Sequence, residues 1–193
     1  IARKGRIKQA VCSGCFGRGT PMEVMCWEAS RLGIKGFDLR GPQDFDILKK
    51  YGLTPTMVPG IGGIRDGINR RESHDALHKR AIEVIDAAAA AGAPNVIALS
   101  GERKGMADAM GADNCVEFFN RIKGHAEAKG VTICLELLNS KVNHPDYMCD
   151  HTAWGVDVMK RVNSPRIKLL FDIYHMAIME GDLIRTIRTN IQW

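Results

Sequence analysis

Two apolar segments of the chain each close on a carboxylate. Residues 131–136 end at Glu136, and residues 167–172 end at Asp172. A carboxylate at the end of a buried strand is poorly solvated, so it calls for a metal ion or for a role in proton transfer. The two acids are separated by about one strand–helix–strand unit, which predicts that both lie at the carboxyl edge of a parallel sheet.

Polar side chains follow both acids. They are Asn139, Lys141, Asn143 and His144 after the first acid, and Tyr174 and His175 after the second. Carboxylate, imidazole and amide ligands suit a hard divalent cation such as Mg²⁺ or Mn²⁺. Such an ion stabilises an enediolate while a carboxylate moves a proton between adjacent carbons. The alternative is that each acid only accepts backbone hydrogen bonds at a strand end.

Three further motifs carry weaker signals. His74 and His78 have the spacing of a zinc-binding helix, but the acid between them is misplaced and no third ligand is suggested. We expect a solvated helix start there, with His74 as a candidate substrate contact because it follows the loop after the third strand. Asp38 is either a site residue or a loop cap. Cys12 and Cys15 have redox or ligand spacing, without a second pair to complete a zinc site.

Apolar segments alternate strictly with segments of helical period. The strands are predicted at about 7–13, 35–39, 54–58, 95–99, 131–138 and 167–173. Glycine follows several predicted helices where the chain must turn into the next strand, as at Gly92 and Gly130. This alternation predicts an α/β fold, with a parallel sheet and helices outside it.

The number of β/α units limits the possible architectures. About six β/α units fit the chain, whereas eight units of this size give the ~250 residues of a closed (β/α)8 TIM barrel. We therefore predict that residues 1–193 form a single incomplete TIM-barrel domain, with strands 1 to 6 and the start of strand 7. A flavodoxin-like open sheet is the competing architecture. The open edges of an incomplete barrel predict weak metal binding, little activity of this stretch alone, and association between copies.

Charge and composition exclude some classes of partner. Four of the five net positive charges come from Arg3, Lys4, Arg6 and Lys8, which predicts a basic tail over residues 1–8 and no nucleic-acid-binding face. No apolar run is long enough to span a membrane. Cys115 and Cys134 are interpreted as small apolar residues, and with a reduced compartment as the default the expected location is cytoplasmic. Because the chain starts at Ile1, an upstream export signal stays open.

The segments around the two acids resemble a known family. Residues 135–147 (LELLNSKVNHPDY), 171–176 (FDIYHM) and 179–182 (MEGD) are similar to the hydroxypyruvate isomerase group of the xylose isomerase-like sugar isomerase/epimerase barrels. The resemblance covers essentially the whole chain and is most specific between residues 131 and 183. Members of this group are TIM barrels that bind one divalent metal through four ligands on strands five to eight.

The resemblance implies a role for each matching residue. Glu136 corresponds to the fifth-strand metal ligand and to one of two catalytic glutamates, Asp172 to the sixth-strand ligand, and His175 to a histidine that contacts a substrate oxygen. The ligands of strands seven and eight have no counterpart within residues 1–193. Val142 stands where related epimerases often carry a second acid, and Ala177 stands where a longer polar residue is expected after the His-Met pair.

The implied activity is an enediolate isomerisation of a small hydroxy-carbonyl compound or sugar. Hydroxypyruvate and tartronate semialdehyde are the first substrate pair, and a homo-oligomer is allowed. One alternative is a ketose 3-epimerase, which Val142 disfavours. A second is a non-catalytic sugar-binding or scaffold barrel. A third, an endonuclease-type barrel, would need more His and acid ligands and a basic groove.

Overall fold

Six strands form one parallel sheet in the same order as in the chain. They are β1 (Ala10–Val11), β2 (Gly36–Asp38), β3 (Thr54–Ile61), β4 (Asn95–Ala98), β5 (Thr132–Glu136) and β6 (Ile167–Leu170). The computed structural model describes residues 7–193. A doubly wound open sheet reverses its strand order, so the sequential order excludes the flavodoxin-like alternative. The fold is an α/β sheet with TIM-barrel connectivity, as the sequence predicts.

Five helices connect the strands on the outer side of the sheet, and two more follow β6. They are α1 (Met22–Arg31), α2 (Phe45–Lys50), α3 (His74–Ala90), α4 (Asp108–Lys129), α5 (Thr152–Val162), α6 (Ile173–Met179) and α7 (Leu183–Asn190). The larger apolar core joins β3–β6 to α3–α5 and includes Phe118, Phe119 and Leu135, all fully buried. A smaller core lies between α1, α2 and β2. Burial of these apolar faces holds the strand ends in place.

The observed strand ends differ from the predicted ones at the sixth strand. Strand β6 ends at Leu170, so Asp172 is not a strand residue. It caps the N-terminus of α6, where its side chain accepts a hydrogen bond from the backbone N–H of His175. The helix therefore begins earlier than the apolar run suggests, because the aspartate satisfies one of the free N–H groups of the first turn.

The outer edge of β6 is paired with the last residue of the chain. The backbone N–H of Leu169 donates to the carbonyl of Trp193 at 2.9 Å, and Lys168 Nζ donates to the carbonyl of Gln192 at 2.8 Å. The backbone N–H of Leu169 therefore has a partner at this edge of the sheet.

Two further predictions concern the basic N-terminal tail and the absence of a membrane-spanning segment. Residues 1–6 of the predicted basic tail lie outside the described residues, while Ile7 and Lys8 are exposed. Between residues 7 and 193, none of the helices combines the length and hydropathy needed to cross a bilayer.

Two glycines, one inside α4 and one at its C-terminal end, should change the stability of the protein in opposite directions when replaced by alanine. Gly130 ends α4 with a φ of 70°, whereas Gly124 lies inside the helix with open space where a Cβ would stand. We expect Gly130→Ala to lower the free energy of unfolding by about 1 kcal/mol, because alanine resists the left-handed conformation. Gly124→Ala should raise it by about 0.5–1 kcal/mol. Urea unfolding of both variants checks this, and equal shifts would contradict the assignment.

Candidate active site

The end of β5 is held by a buried tyrosine. Glu136, the last residue of β5, pairs in register with Leu170 of β6. The hydroxyl of Tyr147 donates to the carbonyl of Glu136 at 3.0 Å and accepts from the backbone N–H of Ser100 at 3.0 Å. Tyr147 is fully buried, so this hydroxyl connects the end of β4 to the end of β5 and fixes the backbone of Glu136.

The carboxyl group of Glu136 lies in an environment that disfavours its charge. Burial raises the pKa of Glu136 to about 7, and the negative charge of the nearby Asp172 adds to this effect. An acid with a pKa near neutrality exchanges a proton readily at physiological pH. The same environment favours a cation between the two carboxylates, because a positive charge relieves their repulsion.

His175 follows Asp172 in the first turn of α6. Its Nδ1 lies 3.1 Å from the backbone nitrogen of Asn139 and 2.6 Å from Asn139 Nδ2. The ring packs between Tyr174 and His144, with centroids 5.1 and 5.2 Å away. Burial lowers the pKa of His175, His144 lowers it further, and Asp172 opposes both. His175 is therefore a neutral imidazole at physiological pH.

The segment between β5 and α5 is tied at its far end by Arg103. This guanidinium donates to both carboxylate oxygens of Asp150 and to the carbonyls of Tyr147 and Met148. Burial alone would raise the pKa of Asp150, but hydrogen bonds from Arg103, Ser140 and His151 outweigh it and lower the pKa. Asp150 is therefore an anion, and the segment after Glu136 is anchored to the loop after β4. Sequence reasoning missed Arg103 and Tyr147, because their partners lie more than forty residues away or in other loops.

His74 is placed differently from the expectation. It is 2% exposed, and its Nε2 lies 2.9 Å from the carbonyl of Ile68. The ring packs on Phe118, and its Nδ1 is 4.0 Å from a carboxylate oxygen of Glu117. This burial contradicts the prediction of a solvated helix start and gives His74 a packing role between the loop after β3 and α4. Its contact with a substrate stays a prediction.

Two other motifs have local partners. Asp38 Oδ1 accepts a hydrogen bond from Thr56 Oγ1 at 2.5 Å, across the bulge between β2 and β3, which fits the loop-cap interpretation. Cys12 precedes a short 3₁₀ helix (Ser13–Cys15) and Cys15 ends it, and both are free thiols. Over residues 7–193, no three His, Cys, Asp or Glu side chains cluster as a metal site. The structure thus brings together Glu136, Asp172 and His175, whereas the partners of His74 are Ile68 and Phe118.

Comparison with solved structures finds the same fold in several enzymes. The AP endonuclease family 2 protein from Brucella melitensis has a TM-score of 0.83 and 23% identity, covering 93% of this chain and 74% of that chain. D-psicose 3-epimerase with D-tagatose from Clostridium cellulolyticum H10 has a TM-score of 0.78 and 17% identity, covering 95% and 70%. The IolI protein with a bound zinc atom has a TM-score of 0.74 and 12% identity, covering 94% and 68%.

These similarities concern the fold, because the identities are low. A comparison with curated protein sequences found no match. The family described as the xylose isomerase-like TIM barrel matches residues 22–191, which include every strand from β2 to β6 and all seven helices. On this match, the chain belongs to the xylose isomerase-like TIM barrel family.

Proposed function

We propose that the protein is a metal-dependent isomerase of small hydroxy-carbonyl compounds, with hydroxypyruvate and tartronate semialdehyde as the first substrate pair to test. The observation that carries this proposal is the Glu136–Asp172 pair, in which burial and the neighbouring acid raise the pKa of Glu136 to about 7. Membership of the xylose isomerase-like family supports it. The resemblance of the segments around Glu136 and Asp172 to hydroxypyruvate isomerases is the basis for the substrate.

Glu136 is the proton carrier of the proposed reaction. Its carboxylate takes the proton from the carbon next to the substrate carbonyl, which leaves an enediolate. The carboxylic acid then returns the proton to the former carbonyl carbon, while the hydroxyl proton moves from one substrate oxygen to the other, so that the carbonyl and hydroxyl positions are exchanged and Glu136 is regenerated. A pKa near 7 serves both steps, since neither protonation state is strongly favoured.

The residues present fit part of the coordination of a hard divalent cation. Carboxylate oxygens are the ligands that Mg²⁺ and Mn²⁺ prefer, and Glu136 and Asp172 are two such groups that repel each other without a cation. These two residues would hold the ion, with the remaining ligands from outside this pair. When bound, the ion polarises the substrate carbonyl.

His175 orients the substrate in this proposal. A neutral imidazole next to the Asp172 cap donates a hydrogen bond to a substrate oxygen without adding a positive charge beside the proposed cation. Its ring position is fixed by Asn139 on one side and by Tyr174 and His144 on the others.

A ketose 3-epimerase is the alternative function. D-psicose 3-epimerase and L-ribulose 3-epimerase share the fold, and the same acid could remove a proton from a neighbouring carbon. Val142, 64% exposed, stands where related epimerases often carry a second acid, and this disfavours the alternative. A non-catalytic sugar-binding barrel would turn over neither substrate class.

Removal of the Glu136 carboxylate should abolish turnover. In the full-length natural protein with Mg²⁺ or Mn²⁺, we expect Glu136→Gln to lower kcat for hydroxypyruvate by about 10²-fold or more, because general acid–base catalysis contributes that much. Glu83→Gln on the exposed face of α3 is the matched control. NMR of the products separates isomerisation from epimerisation of D-psicose. Unchanged turnover in Glu136→Gln would contradict the proposal.

The pKa of Glu136 also predicts how stability depends on pH in metal-free protein. The pKa is about 7 in the folded chain, above the ordinary value of 4.5, so the stabilising contribution is complete below the unfolded pKa and is lost as pH rises through about 7. With a chelator present, the wild type should lose on the order of 2–3 kcal/mol more than Glu136→Gln between about pH 5 and 8. Parallel urea-unfolding curves across this range would refute the environment assigned to Glu136.

A further inference from the structure

The side-chain amide of Asn139 has a single orientation that its neighbours determine. Its Oδ1 faces the backbone N–H groups of Val142 at 3.1 Å and Asn143 at 2.8 Å. Backbone N–H groups only donate, so the atom that meets them is the oxygen. The NH₂ group therefore points to the opposite side, where Asn139 Nδ2 lies 2.6 Å from Nδ1 of His175.

Both hydrogens of that NH₂ group have acceptors. One meets His175 Nδ1, and the other meets Asn143 Oδ1 at 2.7 Å, which also accepts from the hydroxyl of Tyr174 at 3.0 Å. Asn139 is fully buried, so water does not compete for these bonds. A buried amide with all its groups satisfied holds a fixed orientation.

Nδ1 of His175 receives two donors, and both belong to Asn139. They are its backbone N–H at 3.1 Å and its side-chain Nδ2. A ring nitrogen that accepts hydrogen bonds carries no hydrogen, and a neutral imidazole has one N–H group. The hydrogen of His175 is therefore on Nε2.

We propose that Asn139 is a positioning residue that holds His175 in the Nε2–H tautomer, so that the imidazole offers only a hydrogen-bond donor to the substrate. Such a donor selects an oxygen with a free lone pair, as in a carbonyl, carboxylate or enediolate, and leaves proton abstraction to Glu136. The role at the substrate rests on the proposed isomerase function. The tautomer itself is a property of the free protein.

The arrangement also joins the two acid-bearing strand ends. Asn139 lies three residues after Glu136, and His175 lies three residues after Asp172. The hydrogen bonds between Asn139 and His175 thus cross from the segment after β5 to the first turn of α6. A change at Asn139 would alter the orientation of His175 without removing a carboxylate.

The test is the long-range ¹H–¹⁵N NMR correlation of the histidine side chains in the full-length natural protein without substrate. In the wild type, we expect the Nδ1 of His175 to be the unprotonated nitrogen. In Asn139→Asp, a carboxylate oxygen that only accepts replaces Nδ2, so a proton should move onto Nδ1. Asn143→Asp adds the same charge in the same segment but keeps the Oδ1 acceptor, so the tautomer should stay as in the wild type.

Three results would overturn the proposal. A proton on Nδ1 in the wild type would do so by itself, whether or not the variants fold. An unchanged tautomer in a folded Asn139→Asp variant would show that the side-chain amide of Asn139 does not set it, since the variant keeps the backbone N–H donor. Loss of the pattern in Asn143→Asp to the same degree would assign the effect to charge and equally refute the role of Asn139.

Turnover separates this proposal from the isomerase function. If the function is correct, Asn139→Asp should lower kcat/KM about tenfold or more, the effect expected for a residue that orients an active-site histidine. Asn120→Asp, an equal charge change on the exposed face of α4, should leave it unchanged. If the wild type has the expected tautomer but no isomerase activity, the isomerase function fails and the assignment of Asn139 stands.

Discussion

The pairing of β5 with β6 is the constraint on which the candidate site depends. Glu136 lies opposite Leu170, so the segments that leave the two strands start at the same height. This register puts the glutamate carboxyl within electrostatic range of Asp172, the cap of the next helix. Since side chains alternate between the two faces of a strand, a slip of one residue would turn Glu136 away from Asp172. The same register places Asn139 next to the neutral His175.

The scaffold around the acids keeps a costly arrangement in place. Burial raises the pKa of Glu136, and repulsion from Asp172 adds to this effect, so the ionised pair is destabilised in the folded chain. The surrounding residues do not cancel the negative charges of Glu136 and Asp172, but they keep the two residues from moving apart. Tyr147 holds the backbone of Glu136, and the α6 cap holds Asp172. Stability is instead supplied by the apolar core between β3–β6 and α3–α5.

Sequence reasoning succeeded where the signal is local. Alternation of apolar and helical segments predicted the order of the strands, and the end of an apolar run located Glu136 at the end of β5. It was less accurate at β6, because a capping aspartate after an apolar run looks like a strand end. It was wrong about the exposure of His74, whose partners, Ile68 and Glu117, come from a loop and from another helix.

Long-range polar contacts were the other limit of prediction from sequence. The anchoring of Asp150 by Arg103 and the contact of Tyr147 with Ser100 join residues that are remote in the chain. No periodicity or spacing marks such pairs, because each forms only after the loops are folded. The family is recognisable from the sequence. The arrangement of hydrogen-bond donors around His175 is visible only in the folded structure.

The segment between β5 and α5 is tied at both ends, by Asn139 at the start and by Arg103 with Asp150 at the finish. Between these ties, Val142 is exposed and its side chain is free of the polar network. Its backbone N–H donates to Asn139 Oδ1, and any residue except proline can supply that donor. Position 142 can therefore accept many different side chains while the hydrogen bonds of the segment are kept.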